Sequence, residues 1–166
     1  DGSRPFSALV AEAAAAGYTE PDPRVDLSGE DVRRKLLILA RAAGLPLEIR
    51  QVRVESLVPP ALERAPADAL VPALGELDAL LAGRLDQARA LGGCLRFVGS
   101  FDGEGAQASL QVLPPGHPLA AGAGTDNRVA IRSDRYRDQP LLIQGPGAGA
   151  DITAAALLDD VLRMAA

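Results

Sequence analysis

Residues 20–23 read Glu-Pro-Asp-Pro, and this stretch limits the fold more than any other in the chain. A residue ahead of a proline is pushed out of the helical region, so the segment runs extended and separates whatever helices flank it. Upstream, the alanine-rich pattern from Phe6 to Ala16 reads as a short helix stopped at Gly17, where a left-handed cap is favoured. Downstream, Ser28 is the expected N-cap, with Asp31 at the third helical position of a box-like start. The spacing predicts a helix through Lys35 and the apolar run 36–40, ending near Gly44 ahead of Pro46. So continuous an apolar run is expected to be largely buried, with the face of Lys35 buried in part.

The rest of the chain supplies further elements. Alternation from Leu47 to Leu57 predicts one strand that ends at Val58-Pro59-Pro60. From Ala67 to Leu91 leucines recur at helical spacing, and Pro72 and Gly75 split the pattern into a short helix and a long one. Residues 95–101 and 108–112 read as strands around Asp102-Gly103-Glu104-Gly105, a hairpin signal. Strands are also expected at 127–132 and 141–144, on either side of the charged turn 134–138. Gly-Pro-Gly-Ala-Gly at 145–149 leads into a last helix over 151–164. Helices first, then a largely antiparallel or mixed sheet, gives an α+β (mixed α/β) class.

Composition narrows the chemistry. The 166 residues are 48 % hydrophobic and 23 % charged, which is globular. The net charge of −5 leaves no basic footprint for a phosphate backbone, so no nucleic-acid partner is expected. No apolar stretch approaches the roughly 20 residues that span a bilayer, and none resembles a signal peptide. Cys94 is the single cysteine, which excludes an internal disulfide and a Cys-based zinc site and fits a reducing cytosol. His117 is the single histidine, so a His-rich metal site or a His-based triad would need another chain. The chain opens Asp-Gly-Ser without Met, and it is read as part of a longer protein.

Three groups of residues could carry chemistry. The glycine turn at 145–149 frees backbone N–H groups ahead of a helix, where phosphate can bind; it is not a Walker A loop, and a tight structural turn explains it as well. Ser28, Asp31 and Lys35 could merely cap and brace a helix, the cap contributing ~1 kcal/mol and the (i, i+4) pair ~0.3–0.5 kcal/mol. A lysine beside carboxylates at a buried edge is either a buried ion pair or a proton donor, and on the residues alone the structural reading is favoured. Glu20 sits in a rigid loop that can present a carboxylate to a pocket, or it can belong to a surface turn. His117 reads as a loop residue and Cys94 as a small core residue.

The pattern Ala13…Gly17-Tyr18-Thr19-Glu20-Pro21-Asp22-Pro23-x-x-Asp26-Leu27-x-Gly29-x-Asp31-x-x-x-Lys35 resembles the homoserine dehydrogenase signature. The likeness continues through the 28–41 helix, the Leu95-Arg-Phe-Val-Gly-Ser-Phe-Asp hairpin and the closing Gln-Gly-Pro-Gly-Ala-Gly-x-x-x-Thr-Ala, so it covers nearly the whole chain. The 77–89 helix and the hairpin after it look most like the bifunctional aspartokinase–homoserine dehydrogenases.

That resemblance implies NAD- or NADP-dependent interconversion of L-homoserine and L-aspartate 4-semialdehyde, on the way to threonine, methionine and isoleucine. It implies that Lys35 is the proton donor, that Glu20 and Asp31 bind the substrate's amino and hydroxyl ends, and that Asp26 supports them. Gly147 and Gly149 would approach the cofactor. By the same likeness, residues 1–98 form the substrate and catalytic region, 99–144 the dimerisation strands of a homodimer or higher oligomer, and 145–166 the cofactor-contacting turn and last helix. The family's dinucleotide-binding half, its upstream active-site lysine and its monovalent-metal loop have no counterpart in these residues, so no metal ligand is expected here and the isolated chain is expected to be inactive. A non-catalytic oligomerisation or interaction module is the other reading. A cytoplasmic location is expected.

Overall fold

A computed structural model describes residues 2–66, 73–102, 104–122, 126–147 and 149–165. The chain forms two compact units, Asp1–Val112 and Leu113–Ala166.

The first unit holds helices α1 (Phe6–Ala15), α2 (Pro23–Leu27), α3 (Glu30–Ala42) and α4 (Gly75–Ala90) with strands β1 (Val52–Val54), β2 (Cys94–Phe101) and β3 (Ala106–Leu113). The expected termination of α1 is borne out: Gly17 has φ +73°, and Tyr18 N–H donates to Ala13 O at 2.9 Å. The same glycine-terminated pairing of bonds closes α3 at Gly44 and α4 at Gly92. The expected helix over 67–72 lies outside the described residues.

The sheet order is β1-β3-β2. β1 runs parallel to β3, with Val52 opposite Ala106 and Val54 opposite Ala108, so the sheet is mixed. Among the described residues, two small apolar clusters form the core of this unit. Val10, Val58, Leu62, Leu74 and Leu77 join α1 to α4 and to the loop after β1, while Leu36, Val52 and Ala106 join α3 to the sheet. The central strand contributes alanines, Ala106 and Ala108, that are almost fully buried.

Four expectations are corrected. Glu-Pro-Asp-Pro is followed at once by α2, because Asp22 accepts from Arg24 N–H at 3.0 Å and Pro23 occupies the first helical position. Ser28 is not the N-cap of α3. Gly29 is, with φ +75°, and Ser28 closes α2 by donating its hydroxyl to Val25 O at 2.8 Å; Asp31 is therefore the second helical residue. The strand expected over 47–57 is reduced to Val52–Val54. Gln51 folds its side-chain oxygen onto Glu48 N–H at 2.7 Å, which favours a 3-10 turn at Ile49–Gln51. Finally, α3 is not largely buried. Only Leu36 and Ala40 are, and Ile38 is 65 % exposed, because just one face of the helix meets the sheet.

In the second unit, β4 (Asp126–Ile131) and β5 (Leu141–Pro146) form an antiparallel pair, and α5 (Ala150–Ala165) follows. Both strands and the helix match the expected elements to within two residues, with Gly145 and Pro146 drawn into β5. The helix keeps Leu157, Leu158, Val161 and Leu162 more than half exposed.

Candidate active site

Gly29 decides how closely the N-terminus of α3 lies on the sheet. A methyl group at its Cα would come within 2.7 Å of Phe97 Cζ and 2.8 Å of Val54 Cγ1. Neither the backbone angle nor the space admits a side chain. Gly99 repeats the device from the strand side, where a methyl would lie 2.9 Å from Val32 Cγ1. With α3 seated in this way, its first two turns carry Asp31 and Lys35. Lys35 Nζ lies 2.9 Å from Asp31 Oδ2, both side chains at least half exposed. The partial burial expected of Lys35 is absent, since the exposed flank of α3 carries it.

Glu20 and Asp26 are joined differently. Glu20 backbone N–H donates to Asp26 Oδ2 at 3.0 Å, which closes the proline loop onto α2 and leaves the Glu20 carboxylate unconstrained by that bond. Beneath this loop Arg24 binds both oxygens of Asp22, through Nε at 2.9 and 3.0 Å and through Nη2 at 2.6 Å. Its Nη1 donates to Leu62 O, Glu63 O and Ala65 O at 3.4, 3.2 and 2.5 Å. The Asp22 carboxyl is held below the ordinary carboxylate range chiefly by the Arg24 side chain, with its backbone N–H assisting. The sequence reading had no role for Arg24. The only signal was an arginine flanked by aspartates just after a proline.

The structure thus brings Lys35 to Asp31 and Glu20 to Asp26. Gly147 and Gly149 belong to the second unit. Gly149 has φ +135° with open space around its Cα, whereas a side chain at Gly147 would strike Asn127. Among the described residues no group of three or more His, Cys, Asp or Glu could hold a metal ion, and no helix is long and apolar enough to cross a membrane.

An acid–lysine pair on an exposed helical face suits a small polar substrate with a reacting oxygen; no bond ties Glu20 or Asp26 to that pair among the described residues. The homoserine dehydrogenase family model matches residues 1–162. This chain belongs to the homoserine dehydrogenase family. It is 50 % identical over 99 % of its length to the bifunctional aspartokinase/homoserine dehydrogenase 2 of Escherichia coli K12 and spans 20 % of that protein. A crystal structure of a Candida auris protein of unknown function matches 98 % of the chain with a TM-score of 0.89 and 40 % identity, and the match covers 46 % of that protein. A putative homoserine dehydrogenase from Archaeoglobus fulgidus matches 97 % with a TM-score of 0.71 and 26 % identity, over 43 % of its own chain. The chain therefore spans less than half the length of each of these proteins, and its α+β fold is shared with the two solved structures.

Proposed function

We propose that this chain supplies the substrate-binding and proton-donating part of a NAD- or NADP-dependent homoserine dehydrogenase, acting between L-homoserine and L-aspartate 4-semialdehyde in the cytoplasmic synthesis of threonine, methionine and isoleucine. The observation that carries this reading is the Lys35–Asp31 pair at 2.9 Å on an accessible helical face.

Lys35 gives a proton to the carbonyl oxygen of the semialdehyde as the alkoxide develops, and takes it back in the reverse direction. Asp31 fixes where the Lys35 ammonium stands and accepts from the substrate hydroxyl. Glu20 binds the substrate ammonium, and Asp26 holds the loop that presents Glu20. Residues 1–98 form this region, 99–144 pair with a second copy, and 145–166 bring the glycine turn to the cofactor. The turn fits a nicotinamide dinucleotide at Gly149, whose open Cα lets another group approach the backbone; Gly147 shapes the turn against Asn127. A nicotinamide held beside this turn would supply the hydride chemistry at the substrate carbon.

Replacing Lys35 by Ala in the complete enzyme polypeptide tests the reading. Loss of general-acid catalysis lowers kcat on the order of 10²–10⁴; a loss smaller than tenfold with unchanged folding refutes the role.

A further inference from the structure

We propose that Arg24 is a positioning residue for Glu20, setting where that carboxylate meets the substrate ammonium; this rests on the substrate-binding reading of Glu20. Two arms of one guanidinium make the case. The first grips both carboxylate oxygens of Asp22, the residue between the two prolines and the N-cap of α2. The second grips the carbonyls of Leu62, Glu63 and Ala65.

The carbonyl side is anchored. Leu62 is buried in the cluster with Val10, Val58, Leu74 and Leu77, and Leu27 at the end of α2 packs on the same cluster. The Glu20 side has little anchoring of its own, because its bond to Asp26 stays within the same short segment. Arg24 is therefore the polar tie between the proline loop and the core. Its side chain is only 22 % exposed, and all three of its nitrogens already donate to protein acceptors. A planar fork can serve both sets of acceptors together, and a lysine, with one point charge, cannot.

The test measures KM for homoserine, KM for the nicotinamide cofactor and kcat in the complete enzyme polypeptide for Glu20→Gln, Arg24→Lys and the double variant. Arg24→Lys should raise the homoserine KM about tenfold, as expected when a binding group moves by a fraction of an ångström or more, with cofactor KM unchanged. The double variant should bind homoserine no worse than Glu20→Gln, since Arg24 acts through Glu20. An unchanged homoserine KM in Arg24→Lys, or effects that multiply in the double variant, overturns the proposal. An unchanged KM in Glu20→Gln instead sinks the underlying reading of Glu20. Should Arg24→Lys fold poorly, Asp22→Asn keeps the helix cap but removes the ion pair, and the same selective rise in homoserine KM is expected.

Discussion

Lys35 Nζ stands 2.9 Å from Asp31 Oδ2, one helical turn apart, on the flank of α3 that faces away from the sheet. An exposed pair of this kind contributes only ~0.3–0.5 kcal/mol to stability. Lys35→Ala should therefore leave Tm almost unchanged while abolishing most turnover in the complete enzyme. Thermal melts and steady-state kinetics on the same preparation check this. A large fall in Tm with little loss of kcat would favour the non-catalytic interaction module.

Gly29→Ala is expected to act in the opposite way. The new methyl meets Phe97 and Val54 at 2.7 and 2.8 Å, and the backbone sits at φ +75°. Strain and overpacking together should cost about 2–4 kcal/mol. Denaturant unfolding of the 166-residue chain measures it, and a change within experimental scatter would show that α3 slides away from β1 and β2 at no cost.

Asp78 gives a pH dependence. Its two oxygens accept from Ser7 backbone N–H at 2.8 Å and from the Ser7 hydroxyl at 2.6 Å, so α4 caps the start of α1. These bonds lower the Asp78 pKa from its ordinary 3.8, the side-chain bond most. A depressed carboxyl stabilises the fold fully above its unfolded value, and the contribution fades as pH falls through the folded one. Ser7→Ala should lower Tm at neutral pH, and the difference from the parent should shrink once pH drops below about 4. A difference independent of pH would mean that the serine acts by packing.

The isolated 166 residues should form no NADPH from homoserine and NADP. Saturable amide shifts at Glu20, Asp31 and Lys35 during a homoserine titration, removed by Glu20→Gln, would show the substrate groups already placed. Catalysis by the isolated chain would overturn the assignment of hydride transfer to residues outside it.

Local rules made much of this molecule legible, and long-range ones did not. The stops at Gly17 and Gly44 follow from glycine's access to positive φ, and the four-residue spacing of Asp31 and Lys35 fixes their contact. The start of α3 is not legible locally because Ser28 is a fitting cap for two different helices, and the choice is made by the close approach of Gly29 to the ring of Phe97, 68 residues further along the chain. The exposure of Ile38 was hidden for a related reason: an apolar run does not say how many of its faces find partners. Arg24 was invisible because backbone carbonyls at 62–65 leave no mark in side-chain composition.

The parallel pairing of Val52–Val54 with Ala106–Ala108 also governs time. Hairpin β2–β3 can close on itself as soon as it is made, and so can each helix, but β1 must wait for a strand encoded far downstream. Closing so long a loop is entropically slow. Until Ala106 arrives, Val52 and Leu36 have no third member for their cluster, and α3 can only hover. During synthesis, the helix that carries Lys35 thus gains its full seat on the sheet only once the chain as far as Ala108 has been made.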